Sequence, residues 1–242
     1  MNFKLEVIAF NLESCNLANI AGAHRIELCD NPGEGGTTPS YGFIKAARAK
    51  VDIELFPIIR PRGGDFLYPN DEFNIMKEDI LQCKKMGCDG VVIGLLNENG
   101  TVDKINTSQL VEIAYPMSVS FHRAFDRTIH PFDALEDIID CGCERILTSG
   151  QKPTAMEGIS LIAELIKKAE DRIIIMPGSG LRAGNIKEIA TLSGASEFHS
   201  SARTSLISEM KFNNSSMNET LKTVQLDLQE VSSMIKSLSE LT

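Results

Sequence analysis

The sequence GCERILT, residues 142–148, places a glycine three residues ahead of a short strand-like run, and this layout occurs four times along the chain. The other copies are GAHRIEL (22–28), GCDGVVI (87–93) and GASEFHS (194–200). Glycine ends a helix in the left-handed conformation at little steric cost, so the repeat predicts a recurring helix-to-strand junction. Ordinary helix capping explains the repeat without gene duplication. Under either explanation, each of these glycines marks a point where a helix ends and the next strand begins.

Eight runs rich in Val, Ile, Leu and Phe alternate with longer segments of helical spacing, which predicts parallel strands joined by crossover helices. The predicted strands are Phe3–Phe10, Arg25–Cys29, Ile53–Arg60, Gly90–Leu95, Ser118–Ala124, Arg145–Ser149, Arg172–Pro177 and Glu197–Ser201. The clearest helical stretches are Glu72–Lys85, Phe132–Asp140, Ala155–Ala169 and Ala183–Leu192. We therefore predict the α/β class and a single (β/α)8 TIM-type barrel over residues 1–242.

The C-terminal part of the chain differs from the rest. Ser205–Ser216 is polar and predicts a linker, and a helix is predicted from about Asn218 to Leu241. Apolar residues recur in that helix at spacings of three and four, as on a helix that packs against a neighbour. It is either the eighth barrel helix, packing on its own sheet, or a contact helix for a partner subunit.

Composition excludes several classes of partner. The formal net charge of −9 and the pI of about 5.0 disfavour nucleic acid and anionic membrane surfaces. The N-terminal residues MNFKLEVIAF enter a strand pattern without a signal-peptide layout, so we expect a cytoplasmic protein. The six cysteines lack disulfide-scaffold spacing and are interpreted as thiols. No organic cofactor is indicated.

Candidate catalytic residues follow from the alternation of side chains at strand ends, because active sites of these barrels lie at the carboxyl face. Glu27, His122 and His199 are predicted to point inward, and Arg60 enters from the third strand. A carboxylate and two imidazoles near arginine suit general acid–base chemistry or a divalent metal. Arg123 and Asp126, at the end of the fifth predicted strand, complete the predicted catalytic set.

Two segments predict a site for a small anion. PGSGLRAGN, residues 177–185, leads from a strand into a helix, and its Gly178, Ser179 and Gly180 are candidate phosphate-binding positions. A tight strand-to-helix turn explains this segment equally well. Arg62 beside a glycine pair and Ser149 at the sixth strand end are further anion-binding candidates.

Seven motifs in order resemble the CutC-type copper homeostasis family, from about Leu5 to Arg203. They are RIELC, EGGTTPSYG, IIRPRGGDFLY, DGVVIGLL, FHRAFD, RILTSGQ and EFHSSAR. The resemblance implies a β/α barrel, a cytoplasmic location, a homo-oligomer and a role in copper tolerance. The positions that match its motifs are Glu27, Cys29, Arg60, Asp65, His122, Arg123, Asp126, Thr148, Ser149 and His199.

Two functions stay open from the sequence. Copper(I) prefers two or three soft ligands, and Cys29 is the one cysteine predicted at the barrel mouth, so it is the candidate copper(I) ligand. The alternative is an enzyme that acts on a small phosphorylated or carboxylated compound, with Arg60 and Arg123 holding the anion. In a divalent-metal version of that enzyme, Glu27, His122 and His199 are the ligands.

Overall fold

A computed structural model of the protein describes residues 3–218 and 221–241, and its first 200 residues alternate strands with helices. The strands are β1 (Lys4–Ala9), β2 (Arg25–Leu28), β3 (Glu54–Pro57), β4 (Gly90–Ile93), β5 (Ser118–Phe121), β6 (Arg145–Thr148), β7 (Ile174–Pro177) and β8 (Glu197–Ser200). The helices are α1 (Leu12–Ala21), α2 (Tyr41–Lys50), α3 (Asn70–Lys85), α4 (Lys104–Ala114), α5 (Pro131–Asp140), α6 (Ile159–Ala169) and α7 (Ile186–Ser193).

The eight strands are parallel and form two ladders, in the orders β3-β2-β1-β8 and β4-β5-β6-β7. The ladders join where Ile58 bridges Val92, and the Ile59 N–H donates to the Val92 carbonyl at 2.8 Å. On the other side β7 lies beside β8. The predicted α/β architecture, a TIM-type barrel, is confirmed.

Each glycine of the repeated motif has the conformation that its predicted role requires. Gly22, Gly87, Gly142 and Gly194 have φ between +74° and +85°, in the left-handed region that favours glycine. Gly22 and Gly194 are the C-cap residues of α1 and α7. The repeat therefore marks the turn by which each of four helices returns to the next strand.

Side-chain alternation separates two layers of the core. Ile26 and Leu28 pack in the layer between strands and helices, as predicted. Cys29, Phe56 and Val92 pack together in a second, smaller cluster inside the barrel. The two faces of β2 therefore have different surroundings, and its interior face carries the charged residues.

Charged side chains fill the amino-terminal end of the barrel interior. Arg25 on β2 is 1% exposed and donates to Glu6 on β1 at 2.5 Å and to Glu197 on β8 at 2.6 Å. Arg145 on β6 donates to the same Glu197 oxygen at 3.0 Å. The Arg25 guanidinium also lies 5.1 Å from the centre of the Phe56 ring. Side chains from β1, β2, β6 and β8 are in contact because the curvature of the sheet brings their interior faces together.

The prediction for the C-terminal segment is wrong in part. The chain forms an antiparallel hairpin of β9 (Arg203–Ile207) and β10 (Lys222–Leu226) before α8 (Leu228–Ser239). The predicted helix starts ten residues too early, because the apolar spacing continues through KTVQL, whose residues form a strand. Glu219 and Thr220, in the predicted helix, lie outside the described residues.

Helix α8 packs against α1 and α7, the position of the last helix of a barrel. Its buried side chains are Val231, Met234 and Leu238, and the Asp227 carboxylate accepts from the Glu230 N–H at its start. Among the described helices, none has the length and apolarity required to cross a membrane.

We expect Arg25→Leu to lower the free energy of unfolding by about 3–5 kcal/mol, because it leaves the buried carboxylate of Glu6 without its guanidinium partner and leaves Glu197 paired with Arg145 alone. Urea unfolding followed by circular dichroism measures the change. The control is Arg172→Leu, which removes an exposed ion pair with Glu136 and should leave stability close to wild type. A similar small effect for both variants would contradict this account of the barrel interior.

Candidate functional site

The carboxyl ends of the strands open into a cavity of about 540 Å³, here called the mouth cavity. Its lining is formed by loops, with Gly33, Glu34, Gly35, Arg60, Gly64, Phe66, Arg123, Asp126, Arg127, Gln151, Lys152 and Pro153. Four of these side chains are basic and two are acidic. The mouth cavity is therefore positively charged in a chain with a net charge of −9.

A smaller pocket of about 110 Å³, here called the inner pocket, reaches into the barrel. Its polar lining comes from Glu27, His122, His199, Arg60 and Arg123, and the rest of the wall is Ile8, Gly35, Ile58, Phe66 and Leu147. The mouth cavity and the inner pocket share Gly35, Arg60, Phe66 and Arg123. The site thus has a basic outer level and a buried inner level.

Glu6, Glu27 and His199 form a buried acid–base group in the interior. Strand register sets it, because Glu6 on β1 lies opposite Arg25 on one side and His199 on the other. His199 Nδ1 lies 2.7 Å from Glu6 Oε1, and His199 Nε2 lies 3.7 Å from Glu27 Oε2. When His199 donates from Nδ1 to Glu6, its Nε2 faces Glu27.

Burial and neighbouring charges give the two carboxyl groups opposite pKa shifts. For Glu27, burial dominates and raises the pKa to about 7, although His199 partly opposes it. For Glu6, burial raises the pKa, but the charge of Arg25 and the hydrogen bond to His199 outweigh it and hold the value at about 2. The pKa of His199 is raised, because these two carboxylates outweigh the effect of burial. Glu27 is therefore the group poised to exchange a proton near neutral pH.

His122 follows β5 directly and is 5% exposed. Its Nδ1 accepts from the Ala124 N–H at 3.1 Å, and its ring lies 4.9 Å from the ring of Phe66. Burial, with the charge of Arg60, lowers the pKa of His122 to about 3. The ring is therefore neutral at neutral pH, with its proton on Nε2.

Arg60 holds the loops around the mouth in place. Its Nη1 donates to the carbonyls of Glu34 and Gly36 at 2.7 and 2.8 Å, and its Nη2 donates to the carbonyl of Gly64 at 3.0 Å. Its guanidinium lies 5.1 Å from the centre of the Phe66 ring. Arg60 therefore brings positive charge to both levels of the site while much of its hydrogen-bonding capacity serves the backbone.

Asp126 organises the loop that follows β6. It accepts from Thr148 Oγ1 at 2.5 Å, from the Ser149 and Gln151 N–H groups at 3.1 Å, and from Arg123 Nε at 2.7 Å. Arg123 Nη2 also donates to Ser149 Oγ at 2.7 Å. Asp126 thus balances the positive charge of Arg123 and orients its guanidinium beside the two cavities. Ser149 is hydrogen-bonded to both residues.

The other predicted anion-binding residues are not among the described residues that line the two cavities. Ser179 Oγ donates to the Pro153 carbonyl at 2.7 Å, and Gly178–Gly180 are absent from the lining of both cavities within the described chain. Arg62 pairs with Glu72 and Asp65, each at 2.9 Å. Their roles in anion binding stay predictions.

Cys29 is completely buried inside the barrel, beside Phe56, Ile58 and Val92. Burial, with the nearby carboxylates of Glu27 and Glu6, raises the pKa of its thiol well above the ordinary value. All six cysteines are free. The side chains that pack around Cys29 are apolar, so they do not supply the further soft ligands that copper(I) prefers.

One group could hold a metal ion by its spacing: Glu6, Glu27 and His199 offer donor atoms that all lie within 4.8 Å of one another. Glu6 replaces the predicted His122 in this set. However, Glu6 Oε1 already bonds His199 and Glu6 Oε2 already bonds Arg25. A cation bound there would share the oxygens of Glu6 with these buried contacts.

Sequence reasoning missed Glu6, Phe66, Arg127 and Lys152. Glu6 lies in the middle of β1, away from the strand ends where active-site residues are expected, although alternation in KLEVIA predicts an inward side chain. The other three lie on loops that converge on the mouth cavity. Loop paths have no periodic signal in sequence, so their convergence required coordinates.

Comparison with known proteins gives consistent matches. The CutC family model matches residues 3–204. The family protein CutC of Chromobacterium violaceum is 52% identical over 208 residues, covering 86% of this chain and 84% of that protein. The human copper homeostasis protein cutC homolog is 48% identical over 215 residues, covering 89% and 79%. The crystal structure of CutC from Streptococcus agalactiae has a TM-score of 0.79 at 35% identity, covering 82% and 98%.

Proposed function

The chain belongs to the CutC family, and from that premise we propose that it acts as an enzyme on a small anionic compound at the barrel mouth. The mouth cavity would hold the anionic group, and Glu27 would exchange a proton with the ligand. The observation that carries the proposal is the position of Glu27, a buried carboxyl with a pKa of about 7, directly below a basic cavity.

The anionic group of the ligand would lie among Arg123, Arg127 and Lys152. Arg127 and Lys152 are exposed at the rim, whereas Arg123 is held by Asp126 and Ser149. Phosphate and carboxylate both suit such a set of donors. The acidic surface elsewhere repels anions, so the mouth cavity would be the place where an anion concentrates.

The inner pocket would supply the acid–base chemistry. Glu27 at a pKa of about 7 is present in both protonation states near neutrality, which is the condition under which a carboxyl group can give and take a proton efficiently. His199 lies within 3.7 Å and is oriented by the ionised Glu6. His199 would thus act as the second acid–base group, and Glu6 as its positioning residue.

A second candidate is copper(I) binding at Cys29. It is supported by the names of curated relatives, such as the human copper homeostasis protein cutC homolog. It is also supported by the place of Cys29, which directly follows β2 and packs with Phe56, Ile58 and Val92. Because one buried thiol is an incomplete copper(I) site, this candidate requires a further soft ligand from outside the described cluster.

We further propose a cytoplasmic, homo-oligomeric protein. Six free thiols suit a reducing compartment. Exposed apolar side chains on and beside the hairpin of β9 and β10 favour a second copy as the partner: Leu206, Ile207, Met210 and Phe212.

The enzyme proposal predicts that wild-type protein, incubated with the small-molecule fraction of a cell extract in D₂O, consumes or deuterates at least one anionic metabolite. Glu27→Gln should abolish this activity, because the amide cannot exchange the proton. Mass spectrometry measures both changes. Glu136→Gln, which alters an exposed carboxylate paired with Arg172, is the matched control and should retain activity. Identical metabolite profiles for wild type and Glu27→Gln would refute the proposal.

The copper candidate predicts that Cys29→Ser loses one bound copper(I) relative to wild type, measured by competition with a chromogenic copper(I) chelator under anaerobic conditions. Cys143→Ser, which alters an equally buried thiol between α5 and β6, is the control and should keep that equivalent. Equal copper(I) binding by wild type and Cys29→Ser would eliminate this candidate.

A further inference from the structure

A histidine at the inner pocket, His122, has a ring nitrogen that makes no hydrogen bond with the described residues. His122 Nε2 is buried and has no hydrogen-bond partner within residues 3–218 and 221–241. The ring itself borders the inner pocket. A buried N–H without an acceptor costs folding free energy, so such groups are rare in folded proteins and call for an explanation.

The orientation of His122 is fixed, so its Nε2 cannot find another partner by turning. Nδ1 is occupied by the Ala124 N–H, which also fixes the tautomer with the proton on Nε2. The ring edge with Cε1 and Nδ1 lies against Gly94, where a Cβ atom would come within 2.3 Å of Cε1. Phe66 covers the ring at 4.9 Å between centroids. Glycine at position 94 and the backbone at 124 thus hold His122 as a rigid donor.

Other groups around His122 favour an oxygen acceptor. Arg60 lines the same pocket as His122 and brings a positive charge to it. A neutral N–H donor beside a guanidinium suits an oxygen that is partly or fully negative. Glu27 and His199 line the pocket with His122. An oxygen bound at His122 would therefore bring the adjoining part of the ligand beside the acid–base pair.

We propose that the inner pocket binds a carbonyl or carboxylate oxygen of the ligand, which accepts from His122 Nε2–H beside Arg60. This inference rests on the proposed function, in which the anionic group of the ligand lies in the mouth cavity. It narrows the substrate class to small compounds with two features: an anionic group and a second, acceptor oxygen that enters the barrel. Oxo acids and phosphorylated oxo compounds have both.

The test compares three probes by isothermal titration calorimetry at constant ionic strength: inorganic phosphate, pyruvate and lactate. Pyruvate and lactate share a carboxylate and differ in that a hydroxyl replaces the carbonyl. In His122→Phe, which keeps an aromatic ring against Phe66 but removes the donor, pyruvate should bind roughly tenfold more weakly. His122→Gln, whose amide N–H can replace Nε2–H, should recover most of this loss. Phosphate affinity should be the same in all three proteins.

A second measurement uses wild-type protein alone, so it does not depend on the folding of a variant. In a ¹⁵N–¹H spectrum of the histidine side chains, Nε2 of His122 should carry the proton, and its resonance should shift when pyruvate is added. If lactate shifts the resonance as pyruvate does, the bound oxygen is that of the carboxylate. If only pyruvate shifts it, the bound oxygen is that of the carbonyl. Both results support the proposal.

The inference and the proposed function can fail separately. Equal pyruvate affinity in wild type and His122→Phe, or no pyruvate binding by wild type, would overturn the oxygen site at His122. Phosphate binding that is unaffected by the double variant Arg127→Gln/Lys152→Gln would overturn the anion site in the mouth cavity. Pyruvate binding that depends on His122 would still support the oxygen site in that case.

Discussion

The hydrogen-bonded ion pairs of Arg25 inside the barrel are the interaction on which the site depends. Arg25 neutralises Glu6 and Glu197 in a space that excludes water. With its charge balanced, Glu6 stays ionised and accepts from His199. His199 is then oriented toward Glu27, whose pKa burial raises although the charges of His199 and Arg25 oppose the shift. Buried ion pairs often stabilise no better than apolar packing, so the function of this network is best sought in the acid–base group above it.

The two levels of the site use their charges differently. In the mouth cavity, Arg60 and Arg123 are tied to loop carbonyls, Asp126 and Ser149, so they shape the cavity while keeping it basic. Arg127 and Lys152 stand at its rim. In the inner pocket the groups are buried, and small changes in their surroundings shift their pKa values strongly. This arrangement suits a ligand with a charged end outside and a reacting end inside.

The sequence predicted the barrel and several side chains that line the inner pocket, because both follow from periodicities. The glycine repeat marked the junctions, and alternation in RIELC and EFHSS placed Glu27 and His199 inside. Glu6 was missed because its importance comes from register, which sets it between Arg25 and His199. Register between parallel strands is not readable from either strand alone. The hairpin of β9 and β10 was missed because Leu221 and Val224 continue the helical spacing of α8 into a segment that pairs as a strand.

The central claim is that burial in the folded protein raises the pKa of Glu27, so that this carboxyl group exchanges a proton near neutral pH. The most direct measurement is the titration of its side-chain carboxyl carbon by ¹³C NMR, assigned by comparison with Glu27→Gln. Burial beside His199 predicts a midpoint at about pH 7. A midpoint at the ordinary glutamate value of 4.5 would show that Glu27 is ionised and well solvated, and would contradict the account.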